Sequence, residues 1–271
     1  MGAVPAVVGL ELVCSLHERA RVIADLLQKT ELEHLRSLVS PTFFDVVPSR
    51  MLWREGKGLV RNYRDRDGFA DAMEERRRTL GDADMPIRLD DGGPRKADPV
   101  EAVEDYAEHV VALYFHQIWF GNRAIIDLRA SAVSEDRSDG YRLLWHPGPM
   151  WMEHDETFRG HLKDVYQGFY TDDAERFEAG LSALGMGGAS DLFARHFGEN
   201  VEATRFELDR FIETFHDIFV FCRERDIELA GEFLSLGVYL ATMYENLDRF
   251  DVTVDARRAF ERGTSNPPEE G

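Results

Sequence analysis

Five apolar stripes at helical spacing constrain this chain more than any other feature. Val103, Ala107, Val110, Val111, Tyr114 and Ile118 recur at three and four up to Gly121. Phe158, Leu162, Val165 and Phe169 form a second stripe. Ala174, Phe177, Leu181 and Leu184 form a third, stopped by the glycines of "GMGG". Leu208, Phe211, Ile212, Phe215, Ile218, Phe219 and Cys222 form a fourth, and Phe233, Leu236, Leu240, Met243, Leu247 and Phe250 a fifth. Such spacing places the apolar groups on one face of a helix. Between the first two stripes the pattern changes: "AIIDLR", "SAV" and "YRLLW" are short apolar runs, separated by the polar turn "SEDRSDG". These read as strands, with a two-stranded hairpin near 130–145. The expected fold is mainly α with a small β-hairpin, a helical domain over residues 100–262.

The first third is less regular. Residues 1–80 read as a small mixed N-terminal region. Leu16 to Val39 is a long helix stopped by Pro41, residues 42–63 are extended with "REGKG" as a turn, and "DGFADAMEERRRTL" is a charged helix. Residues 81–99 are rich in Asp, Gly and Pro and read as a linker. Residues 263–271 read as a disordered tail.

The net charge of −19 argues against nucleic acid as a partner, because phosphates would be repelled. There is no apolar run of about 18 residues, so no transmembrane segment is expected. The opening "MGAVPAVVGLELVCSL" lacks a basic lead-in and is read as the chain's own first element. Cys14 and Cys222 are far apart, which fits a reduced, cytoplasmic protein.

From about Tyr106 to Phe260 the order of elements is informative. "HQIWFG" ends a helix, "IIDLRASAV" follows, "SEDRSDGYRLLWHPG" supplies turn, strand and loop, and "FRGHLKDVYQGFYTDDAERFEAGLSALGM" spans two helices. This order resembles the C-terminal lobe of a protein kinase, specifically the UbiB/AarF-type atypical kinase-like family. The resemblance implies that Asp127 holds the place of the catalytic aspartate. It also puts Ala132 where the family has a magnesium-binding Asn, and Trp145 where it has the magnesium-binding Asp. Neither residue offers a ligand oxygen, and magnesium is a hard cation that requires one. The family's Lys-x-Gly-Gln signature and Ala-rich nucleotide loop are absent. The expectation is a pseudokinase-type protein with no cofactor, which binds a protein partner or a hydrophobic small molecule. The alternative is an active UbiB-like ATPase or kinase of isoprenoid-lipid (quinone) metabolism, using ATP and magnesium.

The loop "WHPGPMW" occupies the place of the magnesium loop. Its His146, Met150 and Trp151 are the candidate binding residues, since aromatic groups on a proline-fixed loop lose little entropy on binding. A simpler reading is that Pro-Gly-Pro only turns the chain. A third class of function rests on two Glu-x-x-His pairs, Glu31 with His34 and Glu213 with His216, with Glu108 or Glu18 as further ligands of a helical metal site. His109 and His116, and likewise His154 and His161, are seven apart. They read as metal ligands or, more simply, as partly buried histidines with backbone partners.

Overall fold

The computed structural model describes residues 49–265, apart from 84, 95, 97, 98, 139, 198–200 and 228. The chain is mostly helical with small sheets. Its elements run α1 (Ser49–Arg64), α2 (Arg66–Asp82), β1 (Ile87–Leu89), α3 (Val103–Trp119), β2 (Arg123–Ile125), β3 (Val133–Asp136), β4 (Arg142–Trp145) and β5 (Trp151–Glu153). Then follow α4 (Glu156–Tyr170), α5 (Ala174–Ala183), α6 (Ser190–Phe197), α7 (Leu208–Glu224), α8 (Glu232–Asp248) and α9 (Ala256–Thr264).

Two helices carry the core. Every residue of α3 from Tyr106 to Ile118 is buried, and α8 is buried over most of its length. A helix apolar nearly all round is stable only when surrounded. The more amphipathic α4, α7 and α9 and the small sheets cover these two. Aspartates start several helices: Asp65, Asp155, Asp173 and Asp255 each accept a hydrogen bond from a backbone N–H in the first turn. Each such cap contributes on the order of 1 kcal/mol. The hairpin of α4 and α5 closes on glycine. A Cβ at Gly168 would meet the backbone of Phe177, and one at Gly180 would lie 2.8 Å from the Val165 nitrogen.

The expected β-hairpin is present: β3 and β4 pair antiparallel, Val133 opposite Trp145 and Asp136 opposite Arg142. β1 adds to the other side of β4 in parallel, Ile87 aligned with Leu143 and Leu89 with Trp145. Part of the stretch read as a linker is therefore a sheet strand. Its short apolar residues fill an edge of β4 that would otherwise stay unpaired. A second ribbon joins β2 to β5, Arg123 opposite Glu153 and Ile125 opposite Trp151.

The extended reading of residues 42–63 is corrected from residue 49 onward, where α1 runs unbroken through "REGKG". Glycine inside a helix costs about 1 kcal/mol against alanine. Leu59 and Tyr63, packed on the core, outweigh that local preference. The helix expected over 16–39 lies outside the described residues. At the other end α9 continues to Thr264, one residue beyond the expected start of the tail, and residues 266–271 lie outside the described residues.

Candidate functional site

The segment from Ile125 to Leu128 is held between α3 and α8 by side-chain amides and a hydroxyl. Gln117 pairs with Ile125 twice: its Nε2 donates to the Ile125 carbonyl at 3.0 Å, and the Ile125 amide donates to its Oε1 at 2.8 Å. The Leu128 amide donates to Thr242 Oγ1 at 3.2 Å, and Asn246 Nδ2 donates to the Leu128 carbonyl at 2.8 Å. This short apolar run thus takes a fixed position from α3, eight residues before it, and from α8, more than a hundred residues after it.

That frame aims Asp127 inward. Its side chain is 0 % exposed. Arg129 Nε donates to Oδ1 at 2.8 Å and an Arg129 terminal nitrogen donates to Oδ2 at 3.0 Å. The Gly148 amide adds a third bond, to Oδ2 at 2.8 Å. The Trp145 indole donates to the Asp127 carbonyl at 2.7 Å. Both carboxylate oxygens are engaged inside the protein, and Pro94 covers the Gly148 side of the group: a Cβ built on Gly148 would lie 3.1 Å from Asp127 Oδ2 and 3.4 Å from Pro94 Cγ. Ala132 and Trp145 are both fully buried beside it.

His146 is buried against the same sheet. Its Nε2 lies 3.3 Å from Ser134 Oγ and its Nδ1 3.6 Å from Asp90 Oδ1. Met150 is buried, and Trp151 is 7 % exposed. The Trp151 indole donates to the Asn62 carbonyl at 2.9 Å, and Asn62 Nδ2 donates back to the Trp151 carbonyl at 3.2 Å. The loop that carries the candidate binding residues His146, Met150 and Trp151 turns inward. The reason is that a tryptophan whose N–H is satisfied loses nothing polar on burial and removes a large apolar area from water.

The histidine pairs do not converge. His109 Nδ1 donates to the Asp105 carbonyl at 2.6 Å, while Arg262 reaches its other ring nitrogen. His116 lies 3.2 Å from Thr79 Oγ1, and burial, with Arg76 nearby, lowers its pKa to about 3. Glu108 is taken by Arg258 and Arg262. Glu213 is exposed and His216 half-buried on α7, whereas Glu31, His34 and Glu18 lie outside the described residues. Among the described residues, no group of three or more His, Cys, Asp or Glu is arranged to hold a metal.

A cleft of about 520 Å³ opens on the outer side of β5, between α1, the start of α4 and the start of α8. Glu55 comes from α1, Glu153 from β5, Asp155 and Glu156 from the start of α4, and Glu232 from the first turn of α8. Arg61 is the basic residue in the lining, and Leu59, Met152 and the edge of Trp151 are its apolar part. His154 also lines the cleft while being 5 % exposed, and its Nε2 has no hydrogen-bond partner. Burial first, then the charges of Arg159 and Arg76, lower its pKa to about 4, so the ring is neutral at pH 7. Sequence reading missed this cleft because its lining comes from four separate stretches. The one local signal was the acidic run "EHDE", residues 153–156. No family model matches this chain, and none of the curated proteins matches it in sequence.

Proposed function

We propose that this chain is a non-catalytic, kinase-C-lobe-like binding protein, and that its ligand or partner group enters the acidic cleft beside β5. The order α3, β2, the Asp127 loop, the β3–β4 hairpin, the Trp145 loop and β5 supports the kinase-like part of this reading. The observation that carries the non-catalytic part is the closure of Asp127. A catalytic aspartate must accept a proton from, or orient, a group of the substrate. Asp127 is 0 % exposed, and its oxygens are held by Arg129 and Gly148. The lining of the cleft favours a polar ligand or a side chain of a protein partner over a wholly apolar molecule.

Binding of ATP with and without magnesium tests the reading. The expected result is no magnesium-dependent thermal shift. A shift that appears with magnesium and disappears in Asp127→Asn would favour the active ATPase or kinase instead, because the amide keeps the shape of the carboxylate and removes its charge.

A further inference from the structure

We propose that Ser134, His146 and Asp90 form a nucleophilic serine site that takes acyl groups from small esters. This goes beyond the binding role proposed above. The non-catalytic reading there concerns phosphoryl transfer at Asp127, and neither Asp127 nor the acidic cleft takes part in the chemistry argued below.

Three adjacent strands each supply one group. The sheet order is β1-β4-β3. Asp90 follows the last residue of β1, His146 follows the last residue of β4, and Ser134 lies on β3. The Asp90 amide donates to the Trp145 carbonyl at 2.8 Å, and the His146 amide donates to the Ala132 carbonyl at 2.7 Å. Backbone pairing thus fixes both residues beside their neighbouring strands. Side chains alternate between the two faces of a sheet. Val133, Leu143 and Trp145 are buried in the core. Ser134, Leu144 and His146 therefore share the opposite face, and the parallel register of β1 adds Arg88 and Asp90 to it.

On that face the groups stand in the order of a nucleophile, its base and the acid that orients the base. Ser134 Oγ lies 3.3 Å from His146 Nε2, and His146 Nδ1 lies 3.6 Å from Asp90 Oδ1. The two ring nitrogens meet two different partners, as a base held in one tautomer requires. The Gly92 amide donates to the same Asp90 oxygen at 2.7 Å and sets the direction of the carboxylate. Both ring distances are long, which is common in such sites before substrate binds. His146 is 2 % exposed, whereas Ser134 is half-buried. The base is kept from bulk water while the nucleophile stays within reach of a small molecule.

The chemistry follows from these positions. With the ring proton on Nδ1, facing Asp90, Nε2 is the acceptor. Ser134 Oγ attacks the ester carbonyl carbon, and its proton passes to Nε2. The bond from that carbon to the leaving alcohol oxygen breaks, and Nε2 gives the proton to that oxygen. The acyl group remains on Ser134. Water then attacks the acyl carbon by the same route, releasing a carboxylic acid and restoring the serine. Arg88, Leu144 and Ser134 lie in one row across the three strands. Half-buried Leu144 offers apolar surface for a short acyl chain. Arg88, exposed at the end of the row, supplies a cation for the charge that develops on the carbonyl oxygen.

The test treats the full chain with a fluorophosphonate, which marks activated serines, and locates the adduct by peptide mass spectrometry. Release of 4-nitrophenol from 4-nitrophenyl acetate measures acylation. The adduct should form on Ser134, and 4-nitrophenol release should be lost in Ser134→Ala and kept in Ser138→Ala, an exposed serine beyond β3. His146→Gln should slow acylation about a hundredfold or more, the scale of general-base catalysis. Asp90→Asn should slow it at an unchanged melting temperature, and Asp90→Glu should keep more of the rate. If His146→Gln does not fold, the two Asp90 variants carry the comparison. Absence of an adduct on Ser134, or release undiminished in Ser134→Ala, would overturn the proposal. So would acylation of Ser134 at the parent rate in the His146 and Asp90 variants, which would make it a plain hydroxyl that only satisfies a buried histidine. Magnesium-dependent ATP binding bears on Asp127 alone and leaves the serine result to stand by itself.

Discussion

The amide of Gly148 donates a 2.8 Å hydrogen bond to Asp127 Oδ2 across 21 residues of sequence, joining the loop after β2 to the loop after β4. Together with Arg129 it closes the position that the family resemblance aligns with a catalytic aspartate into a buried polar knot. The surrounding structure predicts how substitutions at Asp127 change stability.

Asp127→Ala leaves Arg129 as a buried charge without its carboxylate. Removing one partner of a buried pair costs about 3–5 kcal/mol. Urea unfolding should show a loss of that order, and Asp127→Ala combined with Arg129→Met should recover part of it. A loss below about 1 kcal/mol in the single variant would mean that the knot is open in solution.

Trp151 packs against α2 so closely that a Cβ on Gly68 would strike its ring. Trp151→Ala should cost about 3–5 kcal/mol, as truncation of a buried aromatic does. Trp151→Phe should cost less, leaving the Asn62 carbonyl without its indole donor. Thermal unfolding of both variants checks this. An unchanged melting temperature in Trp151→Ala would instead favour an exposed loop with Trp151 as a binding residue.

His154 links stability to pH. Its folded pKa, about 4, lies below the unfolded value near 6.5. The folded state then binds fewer protons than the unfolded chain between those values, so stability rises with pH there. The contribution is complete above about pH 6.5 and is lost as pH falls toward 4, by something on the order of 1–3 kcal/mol. His116, lowered further, adds a loss of the same sign. Denaturant midpoints measured across this window should fall with pH, and His154→Gln should flatten the curve. An NMR titration placing the His154 ring near pH 6.5 would contradict the buried geometry.

Gly56 distinguishes the α1 helix from the extended segment expected in its place. Gly56 has open space where a Cβ would go. Gly56→Ala should therefore stabilise by up to about 1 kcal/mol in a helix, and a destabilisation would favour the extended reading. Gly168 faces the backbone of α5, so Gly168→Ala should destabilise by about 1–3 kcal/mol despite the same local propensity gain.

The helices legible in sequence are those whose burial follows a local repeat. The stripes of Phe158 to Phe169 and Leu208 to Cys222 needed only the 3.6-residue period to reveal α4 and α7, and the Asp-Gly turn between short apolar runs revealed the β3–β4 hairpin. What tertiary structure decided is non-local. Ile87 to Leu89 became a strand because β4 offered an unpaired edge more than fifty residues away. Gly56 and Gly58 stayed helical because Leu59 and Tyr63 found the core. Asp127 and Trp151 turned inward because Arg129, Gly148 and Asn62 met their polar atoms, which composition and spacing cannot register. The acidic cleft belongs to the same class: its carboxylates are ordinary in sequence and become a site only when α1, β5, α4 and α8 bring them to one rim. Periodicity reports which face of an element avoids water. It carries no term for which distant polar groups will meet, and those meetings are what the tertiary structure decided.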